Sequence, residues 1–110
     1  MRQLLFVGRS RQDLIAFPDM ARRAAGLQLD LVQRGEEPTD WKPMSTIGPG
    51  TAEIRIRDES GAFRVVYVTR YRDAVYVLHC FEKKSQKTSR RDLEIATERY
   101  RALYRSRRSD

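Results

Sequence analysis

The hydrophobic positions of this chain change period twice, dividing it into a helical first part, a strand-rich middle and a helical tail. Gln3 to Val7 is a short apolar run cut off at once by Gly8, which predicts a first strand rather than a leader segment. Ser10, with Asp13 three residues on, has capping-box spacing and predicts a short helix through Phe17. Pro18 suits the first turn of a second helix, where a missing N–H goes unneeded. Along that helix Met20, Ala24, Leu27 and Leu31 recur at helical spacing, widened by Ala25 and Leu29, with Arg22, Arg23, Asp30 and Arg34 turned outward. Gly35 ends it. From Glu36 to Gly50, Pro and Gly interrupt any period, which predicts a surface loop pinned by Trp41.

At Thr51 the period becomes alternating. Ala52, Ile54 and Ile56 share one face of a strand, and Glu53, Arg55 and Arg57 share the other. Asp58-Glu59-Ser60-Gly61 supplies a hairpin turn, and the β-branched, aromatic stretch Ala62 to Thr69 returns. After Tyr71-Arg72-Asp73, the segment Ala74 to Phe81 is apolar on both faces, as a central strand should be, so the three strands form an antiparallel meander. Helical spacing resumes at Ser89, with Asp92 as a second capping-box partner and Leu93, Ala96, Tyr100, Leu103 and Tyr104 in one stripe. The fold class is therefore α/β in the mixed α+β sense, with helices packed on an antiparallel sheet.

At 110 residues the chain has the length of one domain, 1–110. Charge is interleaved throughout, so there is no run of about 20 apolar residues to span a membrane, and no membrane partner is expected. A lone cysteine, Cys80, excludes an internal disulfide framework and suits a reducing cytoplasm. The net charge of +7 makes polyanions the default partners. Its distribution sharpens this, because residues 82–108 hold ten Lys and Arg against four acids and so carry +6 of the total.

With one His and one Cys there is no His-His or Cys-Cys metal pair, and no metal or other cofactor is expected. Gly48-Pro49-Gly50 lacks the context of a phosphate-binding loop and is a turn before a strand. What remains is a basic surface with a few proton handlers. Metal-free RNA cleavage needs the 2′-hydroxyl deprotonated, the phosphate charge offset and the leaving 5′-oxygen protonated. A lysine crowded by other cations has its charged form disfavoured, and an arginine fork matches a phosphate. Glu53, Arg55, Arg64, His79, Lys83, Lys84 and Lys87 lie on the meander or just past its last strand. Arg64, in an apolar strand, either bridges to Glu53 or faces an open anion site. His79, alternating with Val75 and Val77, is a core histidine or a proton carrier.

Several strings occur in an order that resembles one family: Asp13-Leu14-Ile15-Ala16-Phe17-Pro18, Lys42-Pro43-Met44, Gly50-Thr51-Ala52-Glu53-Ile54-Arg55-Ile56, Phe63-Arg64-Val65-Val66-Tyr67-Val68, and Val77-Leu78-His79-Cys80-Phe81-Glu82-Lys83-Lys84-Ser85-Gln86-Lys87-Thr88. Together they are similar to the RelE/HigB superfamily of bacterial type II toxins, in its phage-derived HigB-like branch. The resemblance implies a small α/β toxin fold in which an N-terminal strand and a helical hairpin pack on an antiparallel sheet with a C-terminal helix. It also implies metal-independent, ribosome-dependent cleavage of messenger RNA, and neutralisation by a cognate antitoxin, a small helix-turn-helix protein. On this resemblance Arg64 matches the sheet arginine that contacts the scissile phosphate. Lys84 matches the basic residue after the last strand, with Lys83 and Lys87 beside it, and Glu53 and Arg55 match the Glu-x-Arg string. His79 or a lysine then handles protons, Arg55, Lys87, Arg90 and Arg91 hold RNA, and Glu53 supports them. The family's proton-handling Tyr or His near the C-terminus has no counterpart, because a long helix runs on there. A non-catalytic or gyrase-inhibiting ParE-like relative and a basic nucleic-acid-binding module remain the alternatives.

Overall fold

The computed structural model describes residues 1–108. The elements run β1 (Gln3–Phe6), α1 (Ser10–Ile15), α2 (Asp19–Gln33), β2 (Trp41–Pro43), β3 (Thr51–Asp58), β4 (Gly61–Val68), β5 (Ala74–Glu82) and α3 (Arg90–Arg108). They build one five-stranded sheet in the order β1-β5-β4-β3-β2, in which β1 runs parallel to β5 and every other pair is antiparallel. The expected meander is its centre. The N-terminal strand adds to one edge, and α1 and α2 carry the chain to the opposite edge.

The sheet is covered on both faces. Ile54, Ile56, Phe63, Val65, Val75 and Val77 pack with Leu14, Phe17, Ala21, Ala25 and Leu29 of the first two helices. Val66, Val68, Leu78 and Phe81 point the other way, onto Ala96, Tyr100 and Leu103 of α3. The alternation of β3 thus places Glu53, Arg55 and Arg57 on the α3 face, because Arg55 lies opposite Arg64 and Glu53 opposite Val66.

Four local expectations change. Trp41–Pro43 is an edge strand rather than open loop, and Pro43 is tolerated because an edge position requires no donor from it. Ser10 does not cap α1; it is fully buried and donates its hydroxyl to the carbonyl of Val77, 3.0 Å away, tying the helix to β5. The inward stripe of α2 is Ala21, Ala25, Leu29 and Val32, whereas Met20 and Leu27 are 71% and 69% exposed. Both stripes satisfy a period of 3.6, and periodicity cannot choose between them. The small Ala21 and Ala25 let the helix approach the sheet, which decides the phase. Tyr104, placed in the inward stripe of α3, is also exposed.

The helix ends otherwise follow the sequence. Gly35, at φ +83°, closes α2 with Glu36 N–H bonded to Leu31 and Gly35 N–H to Val32, the paired arrangement of a glycine-terminated helix. Ser89 and Asp92 form the expected cap of α3: the Asp92 N–H donates to Ser89 Oγ at 3.1 Å, and that hydroxyl donates to Asp92 Oδ2 at 2.7 Å. Gly48 is needed for space, since a Cβ there would collide with the Tyr100 ring.

The phase of α2 is testable by paired truncation. Leu29→Ala should cost about 2–5 kcal/mol, as expected for a buried leucine. Leu27→Ala should change stability by less than about 0.5 kcal/mol. Urea unfolding of both variants decides it, and comparable losses would refute the assignment.

Candidate functional site

Two rows of side chains cross the α3 face of the sheet. Lys42, Glu53, Val66 and His79 are successive partners across β2, β3, β4 and β5; Arg55, Arg64 and Phe81 form the next row. The register leaves Leu78 without a partner, as a bulge that puts Leu78 and His79 on the same face. The rows therefore bring Arg55, Arg64 and His79 to one side.

At the centre is a buried carboxylate. The Glu53 side chain is 1% exposed, and its Oε1 lies 3.4 Å from Arg64 Nε and 3.7 Å from Arg55 Nε. Its other oxygen accepts a hydrogen bond from the Thr88 hydroxyl at 3.4 Å. The Arg64 side chain is itself 8% exposed and also donates from one terminal nitrogen to the Phe63 carbonyl at 3.0 Å. Burial lowers the Arg64 pKa, and the Glu53 charge opposes that shift. One carboxylate neutralises only one of two guanidiniums, so the pair presents net positive charge to whatever faces it.

That face is an open cleft in two lobes. The first, about 560 Å³, is lined by Arg57, Arg64, Lys83 and Lys84 with Ala62, Ser85 and Gln86. The second, about 480 Å³, lies between Lys42–Thr46 and the segment after β5, and includes Arg55, Lys87, Thr88 and Leu93. Lys83 and Gln86 line both. The Lys83 N–H bonds the Ala62 carbonyl at 2.7 Å, extending the β4–β5 ladder one step and holding this lysine over the cleft. Its pKa is lowered, chiefly by desolvation and then by the Arg64 charge, with Glu53 opposing. It is a cation more ready than an ordinary lysine to give up a proton.

The expected site residues thus divide. Arg64, Lys83, Lys84, Arg55 and Lys87 line the cleft, with Glu53 beneath them. Arg90 and Arg91 sit on the exposed first turn of α3, where Arg90 pairs with Glu94 at 3.5 Å. His79 lines neither lobe. It is buried, stacked on Phe81 at 4.8 Å, and its Nε2 lies 2.7 Å from Asp92 Oδ1. Burial lowers its pKa, and Asp92 works against that. Lys42 and Arg57 are further cleft cations, beyond the expected site residues. Arg57 continues the Glu53-Arg55-Arg57 alternation and was visible there; Lys42 stands on a strand with no periodic signal.

The sequence profile of the family described as Phage derived protein Gp49-like matches residues 12–101. No curated protein matches the chain significantly. Among solved structures, an arginine-to-alanine double mutant of the E. coli toxin RelE in the free state is similar at a TM-score of 0.64 and 16% identity, over 93% of this chain and 97% of that one. The mixed sheet with helices on both faces is the RelE toxin fold.

Two measurements probe the site's electrostatics. Glu53→Gln should lower stability by about 1–3 kcal/mol, because it leaves a buried guanidinium without its counter-charge. An unchanged urea midpoint would count against that role. The folded pKa of His79 lies below its ordinary value of 6.5, so the unfolded chain takes up this proton first as the pH falls. Stability should be full above that value and decline below it, and His79→Gln should remove this part of the decline. Equal losses in both proteins between pH 7.5 and 5.5 would refute it.

Proposed function

The chain belongs to the Gp49-like phage-derived family, a RelE/HigB-type toxin family, and from that premise we propose that it is the toxin of a type II toxin–antitoxin system that cuts messenger RNA on the ribosome. The observation that carries this reading is Arg64, a guanidinium anchored from beneath by Glu53 and opening on a cleft lined by Lys83 and Lys84.

In this reading the scissile phosphate sits in the first lobe. Arg64 binds its non-bridging oxygens through two donors, and Lys84 adds charge where the pentacoordinate state becomes more negative. Lys83, with its lowered pKa, takes the proton of the 2′-hydroxyl. The 2′-oxygen then bonds to phosphorus, the bond to the 5′-oxygen breaks, and a second ammonium of the cluster returns a proton to that oxygen. The products are a 2′,3′-cyclic phosphate and a 5′-hydroxyl. Proton transfer falls to Lys83 rather than His79, which Phe81 and the start of α3 shield from the cleft. Arg55 and Lys87, with Lys42, hold the flanking backbone, while Arg90 and Arg91 extend the positive field along α3. The protein acts in the cytoplasm, where its substrate is made, and a small helix-turn-helix antitoxin neutralises it.

Expression of the wild type in bacteria should arrest growth and produce new primer-extension stops within transcripts. The Arg64→Ala, Lys84→Ala variant should lose about 10²–10³-fold of that cleavage. Growth arrest with intact transcripts would point instead to a gyrase-inhibiting toxin. Unimpeded growth without new stops would leave only a nucleic-acid-binding module.

A further inference from the structure

The two lobes differ in chemistry. The first is walled by cations, as a phosphate requires. The second carries as many cations, Lys42, Arg55, Lys83 and Lys87, but adds to them an apolar wall of Pro43, Met44 and Leu93 and the uncharged hydrogen-bonding side chains of Thr46, Gln86 and Thr88. We infer that this second lobe is a nucleobase pocket, which seats the base adjoining the phosphate held at Arg64 and gives the protein its preference among nucleotides. The inference rests on the RNA-cleaving reading and adds to it a subsite and a selectivity.

Three features carry it. The first is composition: a base presents two flat apolar faces and a rim of donors and acceptors, and proteins hold extruded bases between apolar side chains while bonding that rim. Pro43 and Leu93 supply the apolar surface, backed by the buried Met44. Gln86 offers both a donor and an acceptor on one side chain. Thr88 commits its hydroxyl hydrogen to Glu53, so its lone pairs face outward as acceptors. The second feature is continuity. Lys83 and Gln86 border both lobes, so the pocket adjoins the phosphate cations, and Arg55 lines the second lobe with its Nε buried and not hydrogen-bonded.

The third is that the walls are formed in advance. Met44 N–H bonds the Thr51 carbonyl at 2.9 Å and Ile47 N–H bonds Met44 at 3.0 Å, which brace the 44–47 turn against β3. On the other side Ser85 donates to the Lys87 carbonyl at 2.8 Å, and the cap of α3 fixes Leu93. The lobe, at about 480 Å³, has the volume of a small-molecule site.

The test uses the intact protein and two kinds of probe. In a heteronuclear NMR titration, ribonucleoside 5′-monophosphates should shift the amides of Ser45, Thr46, Gln86 and Leu93. Inorganic phosphate should shift amides beside the cations of either lobe and leave those of Ser45, Thr46 and Leu93 in place. Thr46→Val and Thr46→Ala, at a residue that lines the second lobe but not the first, should weaken binding of the preferred nucleotide about three- to tenfold, the worth of one neutral hydrogen bond, and leave inorganic phosphate binding unchanged. In cells the same variants should keep cutting transcripts while the base frequencies beside the cut site change by a similar factor. Identical shifts from nucleotide and phosphate, or variants with unaltered nucleotide affinity, would overturn the pocket while wild-type cleavage still stood. Nucleotide binding in the second lobe without any cleavage in cells would overturn the nuclease reading and leave the pocket.

Discussion

A single buried carboxylate organises the cleft face of the sheet. Taking Glu53 out of water is costly unless cations accompany it, and Arg64 and Arg55 meet that need from two adjacent strands. The constraint acts in both directions. Without Glu53 the two guanidiniums would repel each other across the β3–β4 pair, where their residues are direct partners. With it, they stand side by side and still leave net charge facing outward. The same carboxylate reaches Thr88 and so binds the segment after β5 to the middle of the sheet. Loop, strand pair and cleft are held by one ionised group.

The start of α3 completes the arrangement from the other side. Asp92 receives the Ser89 hydroxyl and also meets His79, so one carboxylate caps a helix and docks it on β5. An acid in the first turn is favoured by the helix dipole as well. Arg99, one face further along, donates to the Leu78 carbonyl at the bulge. These contacts set where Thr88 and Leu93 lie, and through them the shape of the second lobe. His79 takes part in this as a fastening, which explains why a histidine on the correct face lines neither part of the cleft.

Much of this was legible in the sequence, and the gaps have physical causes. Strict alternation from Ala52 to Arg57 identified both the strand and its charged face, because a pleat has only two sides. The same logic could not say which residue of β4 faces Arg55, since that register depends on the turn, nor that His79 shares their face, which depends on the bulge between β4 and β5. The α2 stripe was displaced because helical period fixes spacing but not which of two apolar faces a neighbour will cover. Lys42 stands in one of the family-like strings without a role of its own, because three residues of edge strand carry no pattern and only pairing with β3 brings it to the cleft. Ser10 and Ser89 present the same four-residue signal, yet one is drawn into the core by a carbonyl on β5 and the other caps a helix. The signal is local and its use is decided by what packs above it.

The cleft is also ordered along the chain in a way that bears on when it can act. Lys42, Glu53, Arg55 and Arg64 come from the middle of the sequence, but Lys83, Gln86, Thr88 and Leu93 belong to its last third, and β1 finds its partner only when β5 exists. Proteins fold during synthesis from the N-terminal side, and pairings between distant segments wait for the later one. A growing chain that has exposed its sheet arginines still lacks the lysines, the apolar wall and the helix that anchors both. Assembly of the cleft thereby waits until α3 has been made, so a chain carrying only its sheet arginines holds part of the cleft without its far wall.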